Sequence, residues 1–297
     1  MRTTQENLTL KLSTYQGGVA IWGAIPAVFD TTNEPFDSGI HVHARRLNSR
    51  KKIIDKTFSS VEVRHNNISH MICEKAAIAF AMTSIFEINM VALPCNACGN
   101  LILDNAINAV IPGVNHYCNH CHSYIITHNA CVANPLIQLK KYFDDEKSIR
   151  ETIDPDRTLS LDHNRFSGGI QLWGSNPSIL WTAERREETG IHVHAYSNDG
   201  KRIIDNTYSF IEILGEKIDA KMVRLLQVQL ALPEIKKYLG CLSCPSCHHT
   251  VFGQGIKAVR PNTEHLCLHC NQTWKSNPVI SNPAYTQLKY FNPEGIR

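Results

Sequence analysis

Apolar residues at every second position mark the most informative stretches of this chain. Gly39-Ile-His41-Val-His43-Ala44 alternates in this way, and the hexad returns as Gly190-Ile-His192-Val-His194-Ala195. A period of two predicts strands with one apolar and one polar face. His41, His43 and Arg45 therefore share a face, as do His192, His194 and Tyr196. Other alternating or β-branched runs, at 8–13, 18–22 and 52–63, lie between turn residues and predict antiparallel strands. The period then lengthens. A helix is expected over 73–90 and another over 218–238, where Met222, Leu225, Leu226, Val228 and Leu232 recur at helical spacing.

The elements occur twice in the same order, so the chain reads as a tandem duplication. Gly17-Gly18 with Trp22-Gly23 matches Gly168-Gly169 with Trp173-Gly174, and Ile53-Ile54-Asp55 with Thr57 matches Ile203-Ile204-Asp205 with Thr207. Both copies close on a similar segment, Gln138 to Phe143 and Gln287 to Phe291. The spacing between matched residues drifts only from 151 (His41 to His192) to 148 (Tyr142 to Tyr290). Domains are expected at 1–146 and 147–297, joined through a polar stretch, Asp144 to Arg157, that has the composition of a linker. Each copy is predicted to be an α+β unit, a small antiparallel sheet plus a helix, with a C-terminal cysteine module.

Those modules change the picture most. Cys95-x2-Cys98-x19-Cys118-x2-Cys121 is matched by Cys244-x2-Cys247-x19-Cys267-x2-Cys270. Two C-x-x-C turns at such a separation bring four thiolates around one Zn²⁺. The quartets resemble zinc-ribbon modules, over 93–125 and 242–275, and the resemblance implies two structural zinc ions. Because eight of the eleven cysteines fall in these pairs and the N-terminal residues have no apolar core, metal binding in a reducing cytoplasm is expected. A zinc deaminase would add an H-x-E segment upstream of Pro94-Cys95, and none is present. His116, His120, His265 and His269 are expected to shield or hydrogen-bond the clusters, or to touch phosphate.

Overall charge says little. A net charge of +3 shows no strongly basic surface in the total, while Arg45, Arg46, Arg50, Lys51 and Lys52 gather in one run that offers a local basic patch. The longest apolar stretch, Ala76 to Phe86, is too short to span a bilayer, so no membrane association is expected.

Turn chemistry sharpens the histidine strands. Asp199-Gly200 predicts a two-residue hairpin turn, which places His194 opposite Asp205 and His192 opposite Thr207. A three-residue turn at Asn48-Ser49-Arg50 gives the matching pairs, His43 with Asp55 and His41 with Thr57. A carboxylate against an imidazole sets its tautomer and suits general acid or base work. The eight residues of these pairs are the expected catalytic set, and Trp22, Trp173, Arg45, Tyr196 and Tyr208 the expected substrate contacts. A metal held by H-x-H, as in cupins, would be accompanied by a glutamate a few residues on, where this chain has arginine or a turn. The two H-x-H strands are also similar to the paired H-x-[ST] motifs of 2H phosphoesterases, with His at the third position instead.

The expected function is a zinc-binding enzyme acting on nucleic acid, DNA in the first place, by hydrolysis or base modification. The chain also resembles proteins of gene sets that place 7-deazaguanine bases in DNA. That likeness implies water addition to a modified base, and partners within a modification or defence gene set. The competing class is a non-catalytic adaptor whose ribbons and histidine faces only bind nucleic acid or protein.

Overall fold

The computed structural model describes residues 2–3, 6–24, 27–32, 37–49, 51–86, 90–99, 101–105, 111–118, 120–126, 152–162, 165–175, 177–183, 186–213, 216–220, 223–224, 227, 240–247, 250–253, 261–267 and 270–275. They are rich in small sheets and poor in helix. Two compact units interleave along the sequence. Unit 1 comprises Met1–Ile25, Pro35–Ile153 and Asn176–Glu187, and unit 2 comprises Pro26–Glu34, Asp154–Ser175 and Glu188–Arg297. Each sheet thus contains a two-residue strand from the opposite half of the chain. Leu180–Trp181 pairs with Val19–Ala24 in unit 1, and Phe29–Asp30 pairs with Ile170–Ser175 in unit 2.

In unit 1 the strands run Leu180–Trp181, Val19–Ala24, Asp37–Arg45, Lys52–Phe58, each antiparallel to the next. Unit 2 has the order Phe29–Asp30, Ile170–Ser175, Gly190–Tyr196, Arg202–Tyr208. The alternation read from the sequence sets the faces. Ile40, Val42 and Ala44, like Ile191, Val193 and Ala195, are wholly buried, while the histidines between them are half-buried.

The helix His70–Phe86 covers the apolar face of the unit 1 sheet. It approaches closely because Gly23 has no side chain: a Cβ there would lie 2.5 Å from Glu74 Cα. At Gly174 in unit 2 the corresponding distance is 2.4 Å, to Arg224 Cα. Residues 223, 224 and 227 are helical and buried, and the rest of the helix expected over 218–238 lies almost wholly outside the described residues. Arg224, 2% exposed, is held by Asp154, with Nη1 donating to Oδ1 at 3.0 Å.

Two expectations need correction. The run 52–63 is not one strand: it breaks at Ser59, and Ser60–Val63 enters a second small sheet. Ser59 forms the corner, its amide donating to Glu6 O at 2.9 Å and its carbonyl accepting from the His70 amide at 3.0 Å. Nor are all the pairings antiparallel. The run at 8–13 is strand only through Thr9, and Asn7–Thr9 lies parallel to Ser60–Val63, as Thr158–Leu161 does to Phe210–Ile213. Parallel neighbours need a long connection, and here the intervening hairpin sheet provides it.

Candidate functional site

Each histidine strand is the middle of its hairpin sheet, and the expected cross-strand pairs are present. His43 faces Asp55 and His41 faces Thr57; His194 faces Asp205 and His192 faces Thr207. The turns, however, differ from those expected. In unit 2 the Ser197 amide donates to Lys201 O, which closes a three-residue loop with Gly200 at φ +77°. A bulge then restores the register: Ala195 pairs with Ile204 but Tyr196 with Arg202, leaving Ile203 extra. Ile53 is the extra residue in unit 1, where Ala44 pairs with Ile54 and Arg45 with Lys52. A bulged strand re-aims its side chains. Here the bulge places Arg202, not Ile203, opposite Tyr196 on the histidine face.

Three atoms converge on that face in unit 2. The Nε2 atoms of His192 and His194 are 3.0 Å apart, and each is 3.4 Å from Asp205 Oδ1. The other atoms of the three side chains are tied back. His192 Nδ1 is 3.1 Å from Thr207 Oγ1, and Arg202 Nη1 donates to Asp205 Oδ2 at 3.1 Å. His194 Nδ1 lies 3.5 Å from Tyr196 Oη, which donates to Gln171 Oε1 at 3.2 Å. Gln171 Nε2 in turn donates to Asp30 Oδ2 at 3.1 Å. The His192 and Asp205 side chains are 31% and 36% exposed.

Unit 1 repeats the trio with one difference. His41 and His43 Nε2 are 2.9 Å apart and lie 3.4 and 3.1 Å from Asp55 Oδ1. His41 Nδ1 is 3.1 Å from Thr57 Oγ1. The residue matching Arg202 is Lys52, whose Nζ stands 2.9 Å from Asp55 Oδ2 and 3.4 Å from His43 Nε2. The ammonium thus stands between the second histidine and the outer carboxylate oxygen. Burial, helped by the charges of His41 and Lys52, pushes the His43 imidazole down to about 4 against the pull of Asp55. Hydrogen bonds from His41 and His43, with a further one from Lys52, hold the Asp55 carboxyl far below its usual range.

Both tryptophans stand on the histidine faces. Trp22 is opposite His41 and Trp173 opposite His192, with each indole edge-on to the second histidine at 4.9 Å. Trp22 also meets Trp181 edge-to-face at 5.9 Å. The glycines that follow them point to the other face, where the helix occupies the space, so they open no path for a ligand. Tyr196 joins the cluster. Tyr208 does not: it pairs with Ile191 on the opposite face and packs under Arg157, 5.5 Å from its ring. Arg45 sits at the bulge beside Lys52.

The two cysteine quartets form as expected. Cys95 and Cys121 Sγ are 3.6 Å apart and Cys98 and Cys118 3.7 Å; Cys244–Cys270 and Cys247–Cys267 give the same two values. Sulfurs bound tetrahedrally at about 2.3 Å would be about 3.8 Å apart, so each quartet fits a zinc ion. A left-handed residue follows the turn in three of the knuckles: Gly99 at φ +72°, His122 at +61° and Asn271 at +57°. His116 and His265 are buried, 1% and 7% exposed, which takes them away from any phosphate.

The chain matches no protein-family model, no curated protein and no solved structure. Its chemistry therefore has to be read from these side chains. Among the described residues, the two quartets and the two His–His–Asp trios are the groups whose ligand atoms gather within 4.8 Å of one another. No helix of those residues is long and apolar enough to cross a membrane. Sequence reasoning missed Arg202, Lys52 and Gln171 as members of the sites. Only the bulge and the central position of the histidine strand bring them there.

Proposed function

We propose that this chain is a water-activating enzyme acting on nucleic acid, with His192, His194 and Asp205 as its reacting centre. The observation that carries this reading is the convergence of two imidazole nitrogens and one carboxylate oxygen on the polar face of the sheet. Such a set removes a proton from water and holds the resulting hydroxide near an electrophile. We read the chain as a tandem duplication in which the second copy does chemistry and the first binds. Lys52 sets an ammonium against His43 and Asp55 in the first copy, whose ribbon carries the exposed ring pair Tyr117–Tyr124, with centroids 5.0 Å apart. Exposed aromatic faces stack on bases without regard to sequence. The zinc ions, fully ligated by protein, are structural.

The finer form of the proposal is hydration of a nitrile on a 7-deazaguanine base in DNA. The oxygen of water would bond to the nitrile carbon and its two protons would finish on nitrogen, giving a carboxamide. His194→Ala and Asp205→Ala should abolish product while leaving DNA binding intact, and Tyr124→Ala should weaken binding. Equal loss of binding in both histidine-face variants, with no turnover on modified or unmodified DNA, would favour a non-catalytic adaptor.

A further inference from the structure

We propose that the hairpin tip of unit 1, Arg45 to Lys52, binds duplex DNA, with Arg46 and Lys51 on phosphates and Leu47 inserted between base pairs. The inference deepens the reading of the first copy as the binding one, and rests on it for the choice of nucleic acid. Charge provides the first argument. Five of the eight residues from Arg45 to Lys52 are Arg or Lys and none is acidic, in a chain whose net charge is only +3. Arg46 and Lys51 stand on either side of the turn and are exposed. Cations grouped in this way neutralise neighbouring phosphates and release their counterions.

The turn itself gives the second argument. The Ser49 amide donates to Arg46 O at 3.1 Å, and Asn48 takes the left-handed φ of +58° that lets the chain reverse there. Leu47 is thereby held at the first corner, 56% exposed. Corners of this kind usually go to Asn, Asp, Gly, Pro or Ser, each of which favours the reversal. A leucine there helps neither the turn nor a core. The tip is also stiff. The Lys51 amide donates to Ser49 Oγ at 3.2 Å, and the Gly17 backbone lies so close that a Cβ at 17 would stand 2.0 Å from Arg46 O. A rigidly held apolar side chain between cations has the form of a wedge that enters a base step while Arg and Lys hold the strands.

Unit 2 supplies the comparison. Counting from the paired histidines, its loop has Asn198 in place of Leu47 and Asp199 in place of Asn48, and from Tyr196 to Arg202 it holds two cations and one acid. The Asp199 carboxylate accepts from Ser197 Oγ and, at 3.4 Å, from the Lys201 amide. The hairpin therefore forms equally well with a polar, nearly neutral tip, and the fold requires neither the leucine nor the five cations. The isoleucine of the bulge shows no such asymmetry: Ile53 and Ile203, 43% and 49% exposed, occur in both units. A lipid surface would call for a broad apolar face beside the cations, whereas one leucine at the corner of a turn suits a single base step. An enzyme that acts on a base must take it out of the stack, and a wedge helps by parting the neighbouring pairs.

The test uses the full-length, zinc-loaded protein and a synthetic DNA duplex carrying 2-aminopurine, whose fluorescence rises when it is unstacked. We expect salt-dependent binding accompanied by that rise. Arg46→Glu and Lys51→Glu should each weaken duplex binding by about tenfold and flatten its salt dependence. Leu47→Asn, which copies the loop of unit 2, should keep the wild-type salt dependence and lose most of the fluorescence rise, and Leu47→Met should retain it. The matching change in unit 2, Asn198→Ala, should alter neither. Retention of two zinc ions and an unchanged far-ultraviolet dichroism spectrum in each variant show that the fold survives. A rise that persists in Leu47→Asn, binding that both charge reversals leave intact, or binding to phosphatidylserine vesicles and not to the duplex overturns the wedge. Unstacking without turnover of any modified base sinks the proposed enzyme and leaves the wedge standing. Turnover by wild-type protein that never raises the fluorescence does the reverse.

Discussion

Asp205 stands directly across the ladder from His194, with its Oδ1 equidistant from the His194 and His192 nitrogens, at 3.4 Å. One carboxylate oxygen therefore serves two imidazoles, while Arg202 holds the other oxygen in place. Such geometry is set by backbone register, and so it depends on residues that touch neither the carboxylate nor a substrate.

Thr207 is the clearest of these. Its hydroxyl, 3.1 Å from His192 Nδ1, orients the ring and sets its tautomer. Thr207→Val keeps the shape and removes the acceptor. Turnover should fall by about 10- to 100-fold. Tyr196→Phe, which cuts the longer contact to His194, should have the smaller effect. Kinetic comparison of the two variants checks the order.

The unit 1 site should resist protonation. A His43 pKa depressed to about 4 means that between pH 6.5 and 4 the unfolded chain binds the extra proton. Stability from this group is therefore full above 6.5 and lost as pH falls toward 4, by on the order of 3 kcal/mol at most. Imidazole chemical shifts measured by NMR should show His43 still neutral at pH 5.5. A midpoint at or above 6.5 would contradict the burial argument.

Each ribbon should hold its zinc independently. Cys267→Ser should remove one of the two cysteine-bound ions, as measured by elemental analysis, and leave the Cys95–Cys121 site loaded. Thiolate-bound zinc contributes directly to the folding of a module this small. Protease should then cut within 242–275 first.

Gly174→Ala tests the packing that positions the site. The new Cβ would lie 2.4 Å from Arg224 Cα, a backbone atom that cannot rotate away. A loss of about 2–3 kcal/mol is expected from overpacking, seen as a lower urea midpoint. Gly23→Ala should behave alike against Glu74. An unchanged midpoint in either variant would show that the helix can lift from the sheet without cost.

The quartets and the histidine hairpins were the legible parts of the chain. The C-x-x-C pairs are short-range chemistry, and a strand period of two assigns faces without tertiary knowledge. A two-residue turn predicts the pairing of His194 with Asp205, and the pairing is present although the loop has three residues. The agreement held because the exposed bulge residues Ile53 and Ile203 compensate for the altered loops. Ser59 broke a run that looked continuous, since a β-branched stretch carries no sign of which sheet receives each half. The parallel partners of Asn7–Thr9 and Thr158–Leu161 were equally hidden, because strand direction is decided by long connections.

By itself the sequence determined where thiolates, imidazoles and carboxylates would gather, because those groupings follow from spacing along strands and turns. The tryptophans reach the histidine face through strand pairing, Trp22 with His41 and Trp173 with His192. Only the tertiary structure decided what stands beside each site. The exchange of Phe29–Asp30 and Leu180–Trp181 between sheets sets Asp30 behind Gln171 and Trp181 beside Trp22. The bulges bring Lys52 to one trio and Arg202 to the other. An ammonium is a compact charge that can enter the space between ligands, whereas a guanidinium is a planar fork that grips a carboxylate from its side. That difference, invisible in spacing, gives the two trios different cationic neighbours.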